Sequence, residues 1–502
     1  MTLSDLLTNL LTVLPVAFVC GWGCLLLLVD LWLPASRKNW MPVLTALGMA
    51  VGIGLALSQI SPSGATTPGF NQMILADGFT VFLNVLFLAC GLAGIAIAYN
   101  PLHYREDHPH SFGSSEYYIL MLFSISGMML MAYATDLIIV FLALELLSIP
   151  LYVLTISTFK PSGAESGGHG GEAALKYFTL GAVSGAFVLY GVSLVFAATG
   201  ATNLKSITDS LQAGAANLPL FTIGAALILA GLGFKIGLVP FHSWVPDVYD
   251  GAPPAVTAFM AVTVKAAGFA ALLRIFNLEL RAISSDLTPI IWGLAALTMF
   301  TGNLVAIAQS NLKRMLAYSS IAHSGYILMG LTPFGQALQT NSSAANSATA
   351  ALFYLMAYAV AGLGVWGVVV ALEQANKPVE LNALAGLGRK HPWLGGAMAV
   401  FMLSFIGMPP TLGFMGKLYL FRTAIEGGQV GLAIVGVLTS LISAYYYLRV
   451  IVLMFMQDGA PEVSQTGWLK LVIYAAAAGA VLLTFFSAPL FDLAARAVSG
   501  SF

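Results

Sequence analysis

The sequence predicts an all-α polytopic membrane protein, and three observations predict it. Hydrophobic residues make up 59% of the 502 and charged residues only 8%, against about 25% charged in a soluble domain. Mean hydropathy is +0.88. Apolar runs of about 20 residues, the length that crosses a hydrocarbon core as helix, recur from end to end with short polar loops between them. Only helices and closed barrels satisfy their own backbone in lipid, and these runs are far too long for barrel strands.

Fourteen runs qualify, starting near Leu10, Pro42, Phe79, Ser115, Asp136, Ala173, Leu220, Ala252, Thr288, Asn311, Ser347, Pro392, Gln429 and Trp468. The first follows MTLSD, with no lysine or arginine, so it lacks the basic start of a cleaved signal peptide and reads as a retained helix. Arg37 and Lys38 follow the first run, Arg105 the third and Lys160 the fifth. Lys313 and Arg314 follow the ninth, and Lys377, Arg389 and Lys390 the eleventh. The opposite loops carry only Lys205, Arg281 and Arg422. The positive-inside rule then puts the odd-numbered loops in the cytoplasm of a bacterial cell, with both termini on the periplasmic side of the inner membrane.

Several function classes drop out. A net charge of −1 gives no basic surface for nucleic acid. Cys20, Cys24 and Cys90 all lie in apolar runs and read as packing residues, and no cysteine set here could hold an iron–sulfur cluster. There is no P-loop and no dinucleotide-binding glycine motif after a strand. His103, His108 and His110, beside Glu106 and Asp107, read as a solvated loop rather than a metal site, because flexible flanks fix no geometry. PSGAESGGHGGE, with His169, reads as a flexible connection.

Charges inside the apolar runs carry the functional signal. The stretch GLGFKIGLVPFHSWVPDVYDGAPPAVTAFMAVTVKAAGFA holds Lys235 and Lys265 on either side of a break at Pro240, Pro246, Pro253 and Pro254, with His242, Asp247 and Asp250. An ammonium at membrane depth costs roughly 2.5–3.5 kcal/mol on insertion scales. Lys235 stands close to Pro240, near enough to snorkel, whereas Lys265 has apolar helix on both sides. The fifth run buries Glu145 near its middle, one turn or so before Pro150. A carboxylate there is either protonated or paired. Lys176 opens the sixth run, where it either snorkels or takes part in function. Gly181 and Gly185 follow as a small-xxx-small pair, which reads as helix packing. The tenth run sets Ser319, His323 and Tyr326 on one face. His323 either relays protons or bonds across helices as a neutral ring. The twelfth run repeats the theme of the seventh, with a break at Pro409 and Pro410 and then Lys417 in apolar helix.

That repetition has a period. Pro240 matches Pro409, and the start of the fourth run near Ser115 matches that of the ninth near Thr288, at nearly the same offset. The chain therefore divides into a three-helix segment (1–114), a five-helix repeat (115–280), a second repeat (281–460) and a last helix (461–502). An odd number of helices per unit turns the second copy upside down, as in transporters with inverted repeats. The position matching Glu145 falls near Tyr318, where no carboxylate sits. Backbone groups freed at the breaks are tolerated only against protein or water, so each break should touch an internal hydrated space.

KIGLVPFHSWVPDVYDGAPPAVTAFMAVTVKAAGFA, NLKRMLAYSSIAHSGY and GMPPTLGFMGKLYLF resemble the antiporter-like subunits of NADH:quinone oxidoreductase, respiratory complex I, and among them the subunit N branch. The similarity runs over nearly the whole chain and is weakest before about Phe79. The resemblance implies fourteen helices with helices 7 and 12 broken, two inverted five-helix repeats, and a non-redox role in proton translocation. It implies a proton pathway through Glu145, Lys235, Lys265 and Lys417, with Lys176 matching a family lysine. His242, His323 and Tyr326 are supporting candidates, and Pro240, Pro409 and Pro410 mark the breaks. No cofactor is implied in this chain; the host complex would use FMN, iron–sulfur clusters and quinone in or near other subunits. The implied partners are other membrane-arm subunits, including another antiporter-like subunit and small helical subunits, together with the lipid bilayer and protons. In this reading Glu145 and Lys235 form a switching ion pair, Lys265 connects, and Lys417 serves the second half-channel. The alternatives are a subunit of a multisubunit sodium/proton antiporter or membrane hydrogenase, a stand-alone secondary cation transporter, and a scaffold with vestigial charges.

Overall fold

A computed structural model describes residues 3–60, 66–99, 115–156, 168–279, 284–331, 341–373 and 379–499. The loop with His103, His108 and His110 lies outside these residues, as do Arg105, Lys160, Arg281 and Lys377. Twelve helices among the described residues are long and apolar enough to cross a membrane, and the apolar half-helix Pro392–Ile406 is shorter.

The N-terminal segment is α1 (Leu3–Trp32), α2 (Met41–Leu57) and α3 (Gly78–Ala98). A small hairpin, β1 (Thr67–Gly69) and β2 (Ile74–Ala76), fills the loop before α3 and was not legible in the sequence. The first repeat holds α4 (Ser115–Tyr133), α5 (Leu137–Ile156) and α6 (Gly168–Thr199). A short amphipathic α7 (Leu204–Gln212) precedes the broken pair α8 (Leu218–Ile236) and α9 (Trp244–Gly251). Then comes α10 (Pro254–Leu272), which runs into a π-helical turn, Leu273–Glu279. The second repeat holds α11 (Ser284–Ile307), α12 (Leu312–Met329) and α13 (Asn341–Leu372). After a one-turn α14 (Leu387–Lys390), its broken pair is α15 (Pro392–Ile406) and α16 (Leu412–Glu426), followed by α17 (Val430–Met456). The chain ends with α18 (Gly467–Leu482) and α19 (Ser487–Ser499).

The two repeats reproduce one another in detail. Leu137 N–H donates to the Thr202 carbonyl and Leu204 N–H to that of Thr135, both at 2.9 Å. In the second repeat Leu312 N–H donates to Val379 at 2.9 Å and Leu381 N–H to Ser310 at 2.8 Å. α5 and α12 therefore start with the same backbone device, at Leu137 and at Leu312. Five spans separate the two, so they sit on opposite membrane faces. The helix crossings match as well. A Cβ on Gly127 would strike the Leu147 backbone nitrogen, and one on Gly302 would stand 2.6 Å from that of Ala322. Gly127 with Gly302, and Leu147 with Ala322, are offset along the chain by the same amount as Leu137 with Leu312.

The breaks are built alike. α8 ends at Gly237 and α15 at Gly407, each with positive φ, 71° and 86°, where an L side chain would be strained. Cis bonds follow at Val239–Pro240 and Pro409–Pro410. Gly237 thus corresponds to Gly407 and Pro240 to Pro410, at one shared offset slightly shorter than that of the helix crossings. What satisfies the freed backbone differs. At the first break other side chains do it: Ser324 Oγ donates to the Ile236 carbonyl at 2.5 Å, Thr298 Oγ1 accepts from Val239 N–H at 3.1 Å, and the Trp244 indole donates to Phe234 at 2.8 Å. At the second break Lys417 does it, donating to the Phe405 and Ile406 carbonyls at 2.9 Å each. The need created by each break is thus met largely by protein groups.

One buried ion pair ties the N-terminal segment to the first repeat. Arg274, in the π-helical turn after α10, reaches both oxygens of Asp77, the N-cap of α3, at 2.5 and 3.0 Å. It also donates to Thr80 Oγ1 at 2.9 Å and the Ala132 carbonyl at 2.8 Å. Burial alone would raise the Asp77 pKa, but the Arg274 guanidinium and the Thr80 hydrogen bonds outweigh it and hold the carboxyl below its ordinary value.

Candidate functional site

Lys235, Lys265 and Lys417 are all buried, at 3–4% exposure, so none snorkels to a membrane surface. Each is presented by a different helix and held by different chemistry.

Lys235 lies in the last turn of α8, just before the break. Its ammonium makes no hydrogen bond among the described residues. It sits instead over two aromatic faces, 5.1 Å from the Tyr152 ring centroid and 5.0 Å from that of Tyr177. Glu145 is partly buried on α5. Its carboxylate fills the space left by a missing side chain, since a Cβ on Gly185 would stand 2.6 Å from Oε1. A Cβ on Gly181 would strike the Tyr152 hydroxyl. The small-xxx-small pair of α6 therefore seats Tyr152 and Glu145, which face the same way from α5 because they are about two helical turns apart. The expected contact pair between Glu145 and Lys235 is not formed among the described ion pairs.

Lys265 stands mid-way along α10, which is buried on all sides. Its Nζ donates to the Ser320 carbonyl, and to the Ser320 and Ser324 hydroxyls at 2.7 Å each, and lies 5.3 Å from the Tyr358 ring centroid. The offset that relates Leu137 to Leu312 makes Ser320, rather than Tyr318, the counterpart of Glu145. The position that carries a carboxylate in the first repeat thus carries the hydroxyl that receives Lys265 in the second. Lys235 and Lys265 line the same gap, with Ile236, Trp244, Tyr249 and Ser320. The gap is too narrow to admit a water molecule.

Lys417, on α16, also donates to Ser440 Oγ at 3.1 Å and lies 4.6 Å from the Tyr326 ring centroid. Between Lys265 and Lys417 runs a seam of polar side chains. His323 Nδ1 lies 2.7 Å from the Tyr354 hydroxyl and Nε2 3.1 Å from that of Tyr447, which also bonds Ser319. The Tyr326 hydroxyl donates to Thr439 at 3.2 Å and accepts from Asn303 at 3.1 Å. The face of Ser319, His323 and Tyr326 on α12 therefore points into the seam, with both ring nitrogens of His323 engaged.

Lys176 is not part of this buried row. It is half-exposed and bridges Glu172 at 2.8 Å and Asp247 at 2.7 Å. Asp247 also pairs with Arg314 at 2.9 Å, and Asn311 donates to Asp250 at 2.9 Å. Lys176, α9 and the start of α12 thus share a charged patch at one membrane face. His242 lies in the break and is half-buried. Reasoning from sequence missed Tyr152, Tyr177, Ser320, Ser324, Tyr354, Ser440 and Tyr447. These are ordinary residue types in helices, and only a known repeat offset could have singled out Ser320.

The profile of the family described as NADH:quinone oxidoreductase/Mrp antiporter matches residues 134–443. NADH-quinone oxidoreductase subunit N of Trichlorobacter lovleyi is 40% identical over 496 residues, 98% of this chain and 97% of that protein. A chain of respiratory complex I from Thermus thermophilus superposes with a TM-score of 0.79 at 35% identity, over 96% of this chain and 99% of its own. A chain of the Mrp complex from Dietzia superposes with a TM-score of 0.83 at 21% identity, over 99% of this chain and 97% of its own, a likeness of fold alone. The chain belongs to the subunit N family of NADH:quinone oxidoreductase, among the antiporter-like membrane subunits.

Proposed function

We propose that this chain works in a bacterial complex I as a non-redox, proton-carrying subunit of the membrane arm, in the inner membrane. Protons move along Lys235, Lys265 and Lys417, with Glu145 setting the charge balance at the first lysine and the His323 seam joining the last two. The observation that carries this reading is the set of three buried lysines, the first two lining one gap and the last two flanking the His323 seam. A buried amine holds or releases a proton according to the charges and dipoles near it. Moving one charge against 100 mV requires about 2.3 kcal/mol, and two units of pKa change supply about 2.7 kcal/mol. Small rearrangements around each lysine are therefore large enough. A row of ammonium groups repels sodium ions, which favours protons as cargo. The odd-numbered loops face the cytoplasm, as their charges indicate.

Replacing Lys265 tests the reading, because it is the group shared between the two halves. In membrane vesicles containing the assembled complex, Lys265→Met should remove most proton pumping while the subunit still co-purifies with its partners. Near-normal pumping by that variant would make the lysine a packing residue and end the relay hypothesis.

A further inference from the structure

Lys235 differs from the other two lysines in having no hydrogen-bond acceptor among the described residues. Its surroundings supply something else. Tyr152 and Tyr177 meet edge to face, with ring centroids 4.8 Å apart, and the ammonium lies 5.1 and 5.0 Å from their centroids. Cations bind aromatic faces through the ring quadrupole, more strongly where water is excluded. The Tyr177 hydroxyl, fully buried, also has no hydrogen-bond partner among the described residues. A buried hydroxyl without a partner is a cost to the fold, so the ring rather than the hydroxyl explains the side chain.

Trp244 completes the arrangement from across the break. It is the first residue of α9 and is buried. Its indole stacks on Tyr177, with centroids 4.7 Å apart and planes within 15°. Its N–H donates to the Phe234 carbonyl at 2.8 Å, one residue before Lys235. One side chain therefore braces the ring under the ammonium and fastens the turn that carries the lysine.

We propose that Tyr152 and Tyr177 form an aromatic cage that holds the Lys235 ammonium, and that Trp244 is the positioning residue that keeps the cage closed across the helix break. This rests on the proton-carrying role of Lys235. The cage holds a cation without offering it a proton acceptor, so proton transfer from Lys235 waits on movement of the ring or of α9. Lys265 and Lys417 each stand near a single tyrosine ring, but their ammonium groups are also hydrogen-bonded to hydroxyls and carbonyls, contacts that Lys235 lacks among the described residues.

The test replaces Tyr177 by phenylalanine bearing none, one, two and then three ring fluorines, in the assembled complex. Each fluorine weakens cation binding to the ring face with little change of shape. Unfluorinated Tyr177→Phe, which keeps the ring and removes only the hydroxyl, is the reference for the series. Across the series pumping should fall progressively, by about tenfold in all. Trp244→Leu should lower pumping and flatten the fluorine series, since an unbraced ring no longer depends on its electron density, whereas Trp244→Phe keeps the stack and the slope. A flat series in the presence of Trp244, or loss of pumping in plain Tyr177→Phe, overturns the cage. Lys235→Met separates this from the wider reading. If it abolishes pumping while the series is flat, only the cage is wrong; if it pumps normally, the role of Lys235 is wrong.

Discussion

Lys417 is tied to the helix it breaks away from, because its ammonium caps the carbonyls of Phe405 and Ile406. Arginine could keep that structural bond, but its pKa above about 12 prevents it from giving up a proton. Lys417→Arg should therefore leave the amount of assembled complex unchanged and abolish most pumping, measured as acidification of vesicles. Pumping at the natural rate would reduce Lys417 to a cap. Gly185 makes the complementary case. An added methyl would meet only the end of the flexible Glu145 side chain, so Gly185→Ala should fold and assemble. It should displace the carboxylate and lower pumping by about tenfold, the effect of roughly 1.4 kcal/mol on a charged group. Unaltered pumping would show that the seat of Glu145 is unimportant. Glycine in this helix looked like packing, and Glu145 looked like half of a contact pair. Neither could be settled from spacing, because the sequence does not say which α5 residues the α6 glycines face.

Elements repeat more faithfully than residues do. The crossing of α4 with α5 and that of α11 with α12 use a glycine at the same place, packed against a backbone nitrogen rather than a movable side chain. Gly302→Ala forces a Cβ within 2.6 Å of Ala322 N. Overpacking of this kind typically costs about 1–3 kcal/mol, and it should appear as a lower unfolding temperature in detergent. Gly54, where nothing lies within 4 Å of a Cβ, supplies the control, and equal effects at both sites would refute the argument. The starts and types of these helices were legible, since apolar length and proline breaks are local properties. The offset was not. Sequence alone pairs Pro240 with Pro409 and the start at Ser115 with that at Thr288. Matched conformation pairs Pro240 with Pro410 instead, and matched backbone bonds pair Leu137 with Leu312. Loops of unequal length shift one part of a repeat against another, and only matched contacts show by how much.

At the scale of the molecule, the Asp77–Arg274 pair joins the N-terminal segment to the helix that carries Lys265. Removing one partner of a buried pair typically costs about 3–5 kcal/mol. Arg274→Met should lower the unfolding temperature of the purified complex clearly more than Lys205→Met in the exposed turn of α7, and an equal shift would show the pair to be idle. The pH dependence has a definite sign. Asp77 has a lowered value when folded, so its contribution is present above the unfolded carboxylate value of about 3.9 and is lost as pH falls through the folded one. Stability should therefore drop on acidification below about pH 4, less so in the Arg274→Met variant.

Reading residues in order was enough for the class of protein, the order of its helices, the two breaks, the inverted repeat and the ionisable residues set into apolar helix. Each follows from a local cause: the length of an apolar run, the geometry of glycine and proline, and the cost of a charge in lipid. What each charge touches came from the fold. Packing put Lys265 on Ser320 and Ser324, Lys417 on its own broken helix, and Lys235 over aromatic rings, and it gave Lys176 to the surface patch of Asp247. Lys265 meets its serines where the two repeats pack together, Lys235 and Lys176 find their partners on other helices of the first repeat, and Lys417 finds its own across a break. Helical spacing specifies the face on which a residue lies, and the neighbour across that face is set by how whole helices cross.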